Sequence, residues 1–297
     1  MSENTPAVAF IGLGNMGGPM AANLAAAGFT VRGFDVVEEA RQKAGASGIE
    51  VFESATAAAK GAGVVFTSLP NGGLVAQVIA ELLDAHPDPR LYIDVSTISV
   101  AEARDLEEKV RGAGSRFLDA PVSGGIAGAA AGTLAFMVGG REEDFAEAKP
   151  LLEVLGASVT HCGATGNGQA VKACNNMILA VHQIVLSEAL VLGERLGLEP
   201  QAFFDVVSHA TGNSWALSVN APVPGLVEGS PANNDFAPGF AAALMLKDLK
   251  LAMQAAEDTA TDTVLGRIAA QQYEDFVDEG HGGRDFSAII NEVRAKR

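Results

Sequence analysis

Two patterns of apolar and polar positions alternate along the first half of the chain. Short, β-rich apolar runs occupy residues 8–11, 29–34, 64–69, 91–95 and 116–118. Between them lie Ala- and Glu-rich stretches of helical length, such as 16–27 and 100–111. Strands that are apolar throughout belong in a parallel sheet covered by helices on both faces. Residues 133–138 and 158–161 read as two further strands around a helix at 142–155.

The pattern changes after Gly168. Residues 169–194 contain no proline and no glycine before Gly193, and Val171, Cys174, Ile178, Val181, Val185 and Leu192 recur at helical spacing. Much of the remaining surface of this segment is also apolar, which predicts a buried helix. The rest of the chain reads as helices only, at 200–209, 239–257, 263–280 and 286–295. Pro222, Pro224, Pro231 and Pro238 make a long loop between the first two. The organisation predicted is an α/β domain over 1–165 and, over 166–297, a long interdomain helix with a smaller all-α domain.

Composition narrows the function classes. The formal charge of −16 over 297 residues argues against nucleic acid and membrane surfaces as partners. Two cysteines, Cys162 and Cys174, are too few for a disulfide framework, and they are read as reduced thiols filling the core of a cytoplasmic protein. The first residues, 1–6, show no charged-then-apolar leader, and no run of 18 apolar residues occurs. No His, Cys, Asp or Glu spacing suits a metal, and no G-x-S-x-G elbow is present.

Gly12-Leu13-Gly14-Asn15-Met16-Gly17 is a G-x-G-x-x-G motif between a predicted strand and a predicted helix. The first glycine permits a tight turn, the second lets a pyrophosphate approach the backbone, and the third allows close packing of helix on strand. Asp35 ends the next strand, where an acid can bond the adenosine ribose hydroxyls and repel the 2′-phosphate of NADP. Val36, Val37 and Glu38 follow, with no arginine to receive that phosphate, so the motif predicts NAD. An ordinary glycine turn capping a helix is the weaker alternative, because strand, motif, helix and acid follow in order, and the domain over 1–165 is therefore predicted to be Rossmann-type and dinucleotide-binding. Leu69-Pro70 ends another strand at the edge where such sheets bind ligands, although Leu-Pro also simply terminates strands.

Lys172 and Asn176 lie four residues apart on the long helix, and Gln183 and Ser187 continue their polar stripe. A buried lysine needs a partner or a task, and the alternative is a stem that packs while its head reaches water. Ser123-Gly124-Gly125 makes a loop whose N–H groups can wrap a carboxylate, or else a flexible turn. The run Asp94-Val95-Ser96-Thr97 ends a strand, and a Ser or Thr there also caps helices. Trp215, the single tryptophan, is read first as a core residue.

Taken together, GLGNMGGPMAANL (12–24), DVSTI (94–98), DAPVSGG (119–125), GTLAFMVGG (132–140), GNGQAVKACNNM (166–177), KDL (247–249) and RDFS (284–287) make the chain resemble the β-hydroxyacid dehydrogenases over nearly its whole length. Trp215 and the stretch NAPVPGLVEGSPANN (220–234) look like the hydroxyisobutyrate branch of that family. The resemblance implies NAD-dependent oxidation of 3-hydroxyisobutyrate, with valine breakdown as the setting. By the same resemblance Lys172 is the catalytic acid–base residue. Ser123, Gly124, Gly125, Asn176, Thr97, Asp248, Trp215 and Phe240 contact a small 3-hydroxy acid. Gly12, Leu13, Gly14, Asn15, Met16, Gly17, Asp35, Leu69, Pro70, Leu74, Thr97 and Lys247 contact NAD. The apolar long helix predicts a homodimer or homotetramer. Three alternatives stay open: a reductase of small aldehyde acids, a non-catalytic NAD-binding module, and an imine reductase.

Overall fold

The computed structural model describes residues 7–296. The elements are β1 (Ala7–Ile11), α1 (Gly17–Ala26), β2 (Val31–Phe34), α2 (Glu38–Gly45), β3 (Glu50–Val51), α3 (Ala55–Ala59), β4 (Ala62–Thr67) and α4 (Gly72–Ala85). They continue with β5 (Leu91–Asp94), α5 (Val100–Gly112), β6 (Arg116–Asp119), β7 (Val122–Ser123), α6 (Gly125–Ala131), β8 (Leu134–Gly139), α7 (Glu142–Leu155) and β9 (Gly156–Gly163). The helical part comprises α8 (Asn167–Arg195), α9 (Pro200–Val207), α10 (Trp215–Ser218), α11 (Ala242–Asp258), α12 (Val264–Phe276) and α13 (Ile290–Ala295).

Among the described residues the strands form one sheet in the order β3-β2-β1-β4-β5-β6-β8-β7, with β9 paired to β8. The pairs from β3 to β6 are all parallel, as the apolar runs predict. β8 departs from that expectation: it runs antiparallel to β6 and β7, and only β9 lies parallel to it. The short β3 and β7 have too few residues to show a period, and the sequence reading missed both.

Side-chain alternation sends successive residues of each strand to opposite faces. Phe10, Phe66 and Ile93 pack with Met20 and Leu24 of α1 and Leu152 of α7. Ala9, Val65 and Tyr92 pack on the other face with Val75 and Ile79 of α4 and Leu106 of α5. The sheet is therefore covered on both sides.

The chain divides into two compact units, one ending at Lys172 and one beginning at Ala173, joined through α8. The second unit is all-helical, and its core gathers Ala180, Ile184 and Leu190 of α8 with Met245 and Leu249 of α11 and Tyr273 of α12. The long proline-rich loop contains the single turn of α10 and a 3-10 turn at Pro231–Asn234. The predicted helix 263–280 ends at Phe276 and passes into a π-helical turn, in which Gly280 has φ +93°.

The orientation of α8 corrects the sequence reading. Val171, Cys174, Ile178, Val185 and Leu192 are exposed, whereas Lys172, Asn176, Gln183 and Ser187 are buried. Periodicity shows that a helix has faces, but not which one the fold covers. Here the covered face carries those four polar side chains together with Ala180, Ile184, Leu186, Leu190 and Val191. Cys174 therefore does not fill the core. α8 is also long and apolar enough to cross a membrane by length and mean hydropathy alone, with half of the relevant window buried.

Candidate active site

The sheet register sets the geometry of the first unit. Ile11 pairs with Thr67, Thr67 with Asp94, and Asp94 with Asp119, so four strands end in one row. Ile11 also pairs with Phe34. The segments beginning at Gly12, Asp35, Ser68, Val95 and Ala120 thus leave the sheet along one edge, the carboxyl edge where open parallel sheets bind ligands.

At that edge Gly12 has φ +97°, and an added Cβ would lie 2.2 Å from the carbonyl oxygen of Ser68. A Cβ on Gly17 would lie 2.0 Å from the carbonyl oxygen of Gly12, so this glycine lets α1 sit directly against the turn. Nothing lies within 4 Å of a Cβ on Gly14, which is exposed. The N-terminus of α1 has neither a side-chain cap nor an acid in its first turn. Gly18 N–H closes onto the Gly14 carbonyl at 3.0 Å and Pro19 has no N–H, so it is the positive end of the helix dipole and the open approach over Gly14 that suit a pyrophosphate. Asp35 accepts hydrogen bonds from Leu13 N–H (2.7 Å) and Val37 N–H (2.8 Å), which hold its carboxylate against the turn. These residues fit a dinucleotide.

The neighbouring loops carry the other first-unit candidates. Leu69 N–H donates to Ser96 Oγ at 2.9 Å, tying the two strand ends together. Thr97 and Leu69 are partly buried, while Pro70 and Leu74 are exposed. Asn71 caps α4 through the N–H of Leu74. Gly124 (φ +131°) and Gly125 (φ +63°) both adopt the left-handed region, and turn the loop after Ser123 into α6. Only glycine enters this region without strain.

Asp94 and Asp119, whose positions within their motifs give no sign of a role, are both fully buried. Asp94 Oδ1 accepts from Thr67 Oγ1 (2.7 Å), Ser96 Oγ (2.6 Å) and Ser96 N–H (3.2 Å). Burial outweighs these donors and raises its pKa to about 7. Burial also pushes Asp119 up, against the N–H groups of Gly166, Gln169 and Gly168 that stabilise its charge.

Lys172 is 7% exposed. In the helical unit, Asn176 donates to Asp248 Oδ2 at 2.5 Å and accepts from Asn175 at 2.9 Å. Lys247 Nζ lies 3.6 Å from Asp248 Oδ1. Asn176 and Asp248 are thus brought together, with Lys247 beside them. Phe240 stacks edge-on against Phe286 at 5.8 Å. Trp215 is half exposed at the start of α10, so it is not the core residue that its type predicts. One grouping escaped the sequence search for metal spacing: Glu279, His281 and Glu292 place ligand atoms within 4.8 Å of one another.

Comparison with known proteins decides the family. Residues 7–163 match the NAD binding domain of 6-phosphogluconate dehydrogenase, and residues 166–293 match the NAD-binding domain of NADP-dependent 3-hydroxyisobutyrate dehydrogenase. The chain is 53% identical to a probable 3-hydroxyisobutyrate dehydrogenase of Mycobacterium tuberculosis, over 97% of this chain and 98% of that one. The chain belongs to the β-hydroxyacid dehydrogenase family.

As a member of that family it is an NAD-dependent oxidoreductase acting on a CH–OH group, a hydroxyacid dehydrogenase. A solved structure of the Mycobacterium tuberculosis 3-hydroxyisobutyrate dehydrogenase with L-serine superposes with a TM-score of 0.93 at 52% identity, covering 98% of this chain and all of that one. The NAD-dependent L-serine dehydrogenase of Pseudomonas aeruginosa is 44% identical over 95% of this chain and 96% of that one. An imine reductase from Myxococcus stipitatus, at 16% identity and TM-score 0.65 over 98% of this chain and 99% of that one, shares the fold.

Proposed function

We propose that the chain oxidises 3-hydroxyisobutyrate to methylmalonate semialdehyde with NAD, using Lys172 as general acid and base. The observation that carries this reading is the buried Lys172, one helical turn from buried Asn176 on α8, in a chain 53% identical to a probable 3-hydroxyisobutyrate dehydrogenase. NAD supplies the hydride acceptor. The turn from Gly12 to Gly17 and the uncapped start of α1 hold its pyrophosphate, Asp35 takes the adenosine ribose, and Leu69, Pro70, Leu74 and Thr97 border the remainder. The N–H groups around Ser123, Gly124 and Gly125 hold the substrate carboxylate. Asn176, Trp215, Phe240, Lys247 and Asp248 carry the substrate and cofactor contacts that the family resemblance assigns them.

As hydride leaves the carbinol carbon, the hydroxyl proton passes to the Lys172 amine. In the reverse direction the Lys172 ammonium returns that proton to the carbonyl oxygen and stabilises the developing oxyanion. Oxidation therefore needs the neutral amine and reduction the ammonium.

A second substrate reading is L-serine, favoured by the Pseudomonas aeruginosa relative and by the ligand named with the mycobacterial structure. Both acids carry a primary alcohol on the carbon next to the carboxylate-bearing one, and they differ in a methyl against an ammonium group. Initial rates of NADH formation with (S)-3-hydroxyisobutyrate, L-serine, 3-hydroxypropionate, glycerate and 4-hydroxybutyrate distinguish them, each with NAD and NADP. A lead for hydroxyisobutyrate with NAD supports the first reading, and a lead for L-serine replaces it with the second. The proposed setting is valine breakdown in the cytoplasm. The proposed assembly is a homodimer or homotetramer built on the exposed apolar side of α8.

A further inference from the structure

Gln169 lies in the first turn of α8, three residues before Lys172, and is 1% exposed. Its side chain makes two bonds across to the segment that follows β5. Nε2 donates to the carbonyl oxygen of Ser96 at 2.8 Å, and Oε1 accepts from Ile98 N–H at 3.2 Å. These are the backbone groups on either side of Thr97. The amide thus replaces, for one residue, the partner that a neighbouring strand would supply. Its own backbone N–H donates to Asp119 Oδ2 at 2.9 Å, while Asp119 Oδ1 accepts from Gly166 N–H at 2.7 Å. The Asp119 carboxylate reaches the start of α8 because Gly139 and Gly168 lack side chains. A Cβ on either would lie 2.4 Å or 2.8 Å from its oxygens.

The first turn of α8 is therefore fixed from two sides, to the end of β6 by Asp119 and to the segment around Thr97 by Gln169. Every one of these contacts is buried, so water does not compete for them and each fixes geometry firmly. A leucine at 169 would fill similar space and leave Ser96 C=O and Ile98 N–H without their partner.

We propose that Gln169 is a positioning residue for hydride transfer: it locks the α8 turn that carries Lys172 to the Ser96–Ile98 segment that carries Thr97. The proposal rests on the reading of Lys172 as the acid–base group. A registry error of about an ångström between a catalytic group and the reacting atoms typically lowers turnover by about a hundredfold. A positioning residue therefore lowers kcat while leaving capture of the nucleotide unchanged.

The test is a double-mutant cycle between Gln169→Leu and Lys172→Ala, measured on the full chain. The readouts are single-turnover NADH formation from (S)-3-hydroxyisobutyrate and L-serine, and NADH affinity from its fluorescence. Gln169→Leu is expected to lower turnover about tenfold to a hundredfold with NADH affinity nearly unchanged. In the Lys172→Ala background the same change is expected to add less than about threefold, because Gln169 acts through Lys172. Gln169→Glu keeps the acceptor for Ile98 N–H and removes the donor to Ser96, so it gives the same cycle if the leucine variant fails to fold. Equal fold-losses in both backgrounds would show a merely structural role and overturn the proposal, as would unchanged turnover in either Gln169 variant. Wild-type turnover in Lys172→Ala alone would overturn the reading of the site and the positioning role with it. That outcome differs from one in which Lys172→Ala is inactive and Gln169→Leu is not.

Discussion

Asp94 is a carboxyl group with three donors on one oxygen and none on the other, in a place that water does not reach. Burial disfavours its charge and raises its pKa from the ordinary 3.8 to about 7. The consequence for stability has a definite sign. In the unfolded chain the group ionises near pH 4, whereas in the fold it keeps its proton until about pH 7. Folding therefore binds the proton in that window, and the stability contributed by Asp94 falls as pH rises, by at most roughly 1.4 kcal/mol per pH unit. Asp94→Asn keeps an oxygen for Thr67 and Ser96 and cannot ionise. Denaturant melts from pH 4 to pH 8 should show the variant gaining on the wild type as pH rises, with the difference levelling off above about pH 7. A constant difference would mean that Asp94 is already ionised in the fold at pH 4. The sequence shows Asp94 only as one letter of a motif. Its isolation from water comes from residues distant along the chain on the two flanking strands, such as Thr67, 27 residues away.

The glycine turn leading into α1 separates two kinds of glycine that look alike in the sequence. A Cβ on Gly17 would strike the backbone of Gly12 at 2.0 Å, so Gly17→Ala should push the helix off the strand and lower stability by about 1–3 kcal/mol. Gly14 faces open space, so Gly14→Ala should leave stability within about 0.5 kcal/mol and weaken NADH binding. Thermal melts and NADH fluorescence on the two variants check the pair. Unimpaired NADH binding by Gly14→Ala would contradict the pyrophosphate assignment. This turn was legible because its chemistry is local: strand, glycines, helix and Asp35 follow one another within 29 residues. The helix α8 was legible in extent but not in orientation. Its covered face carries Lys172, Asn176, Gln183 and Ser187, while Val171, Cys174, Ile178, Val185 and Leu192, whose spacing marked the helix, are exposed. The roles of Gln169 and Asp119 were hidden for the same reason, since the partners of Gln169 lie 71 and 73 residues away.

At the scale of the whole molecule, the exposed side of α8 is the feature that a single chain does not explain. Ile178, Val185 and Leu192 are 51%, 52% and 60% exposed and stand seven residues apart, a spacing that lines one side of a helix. This is the side that the proposed homodimer or homotetramer would cover with a second copy of the chain. Ile178→Glu combined with Val185→Glu should lower the assembly mass measured by light scattering, and a monomeric wild type would contradict the oligomer. The proposed chemistry turns on Lys172. The most direct measurement compares turnover and NADH affinity of Lys172→Ala with those of the wild type, using the acid that leads the substrate panel. A loss of about a hundredfold or more in turnover with NADH affinity retained is the predicted result. Turnover equal to that of the wild type would contradict the proposed chemistry.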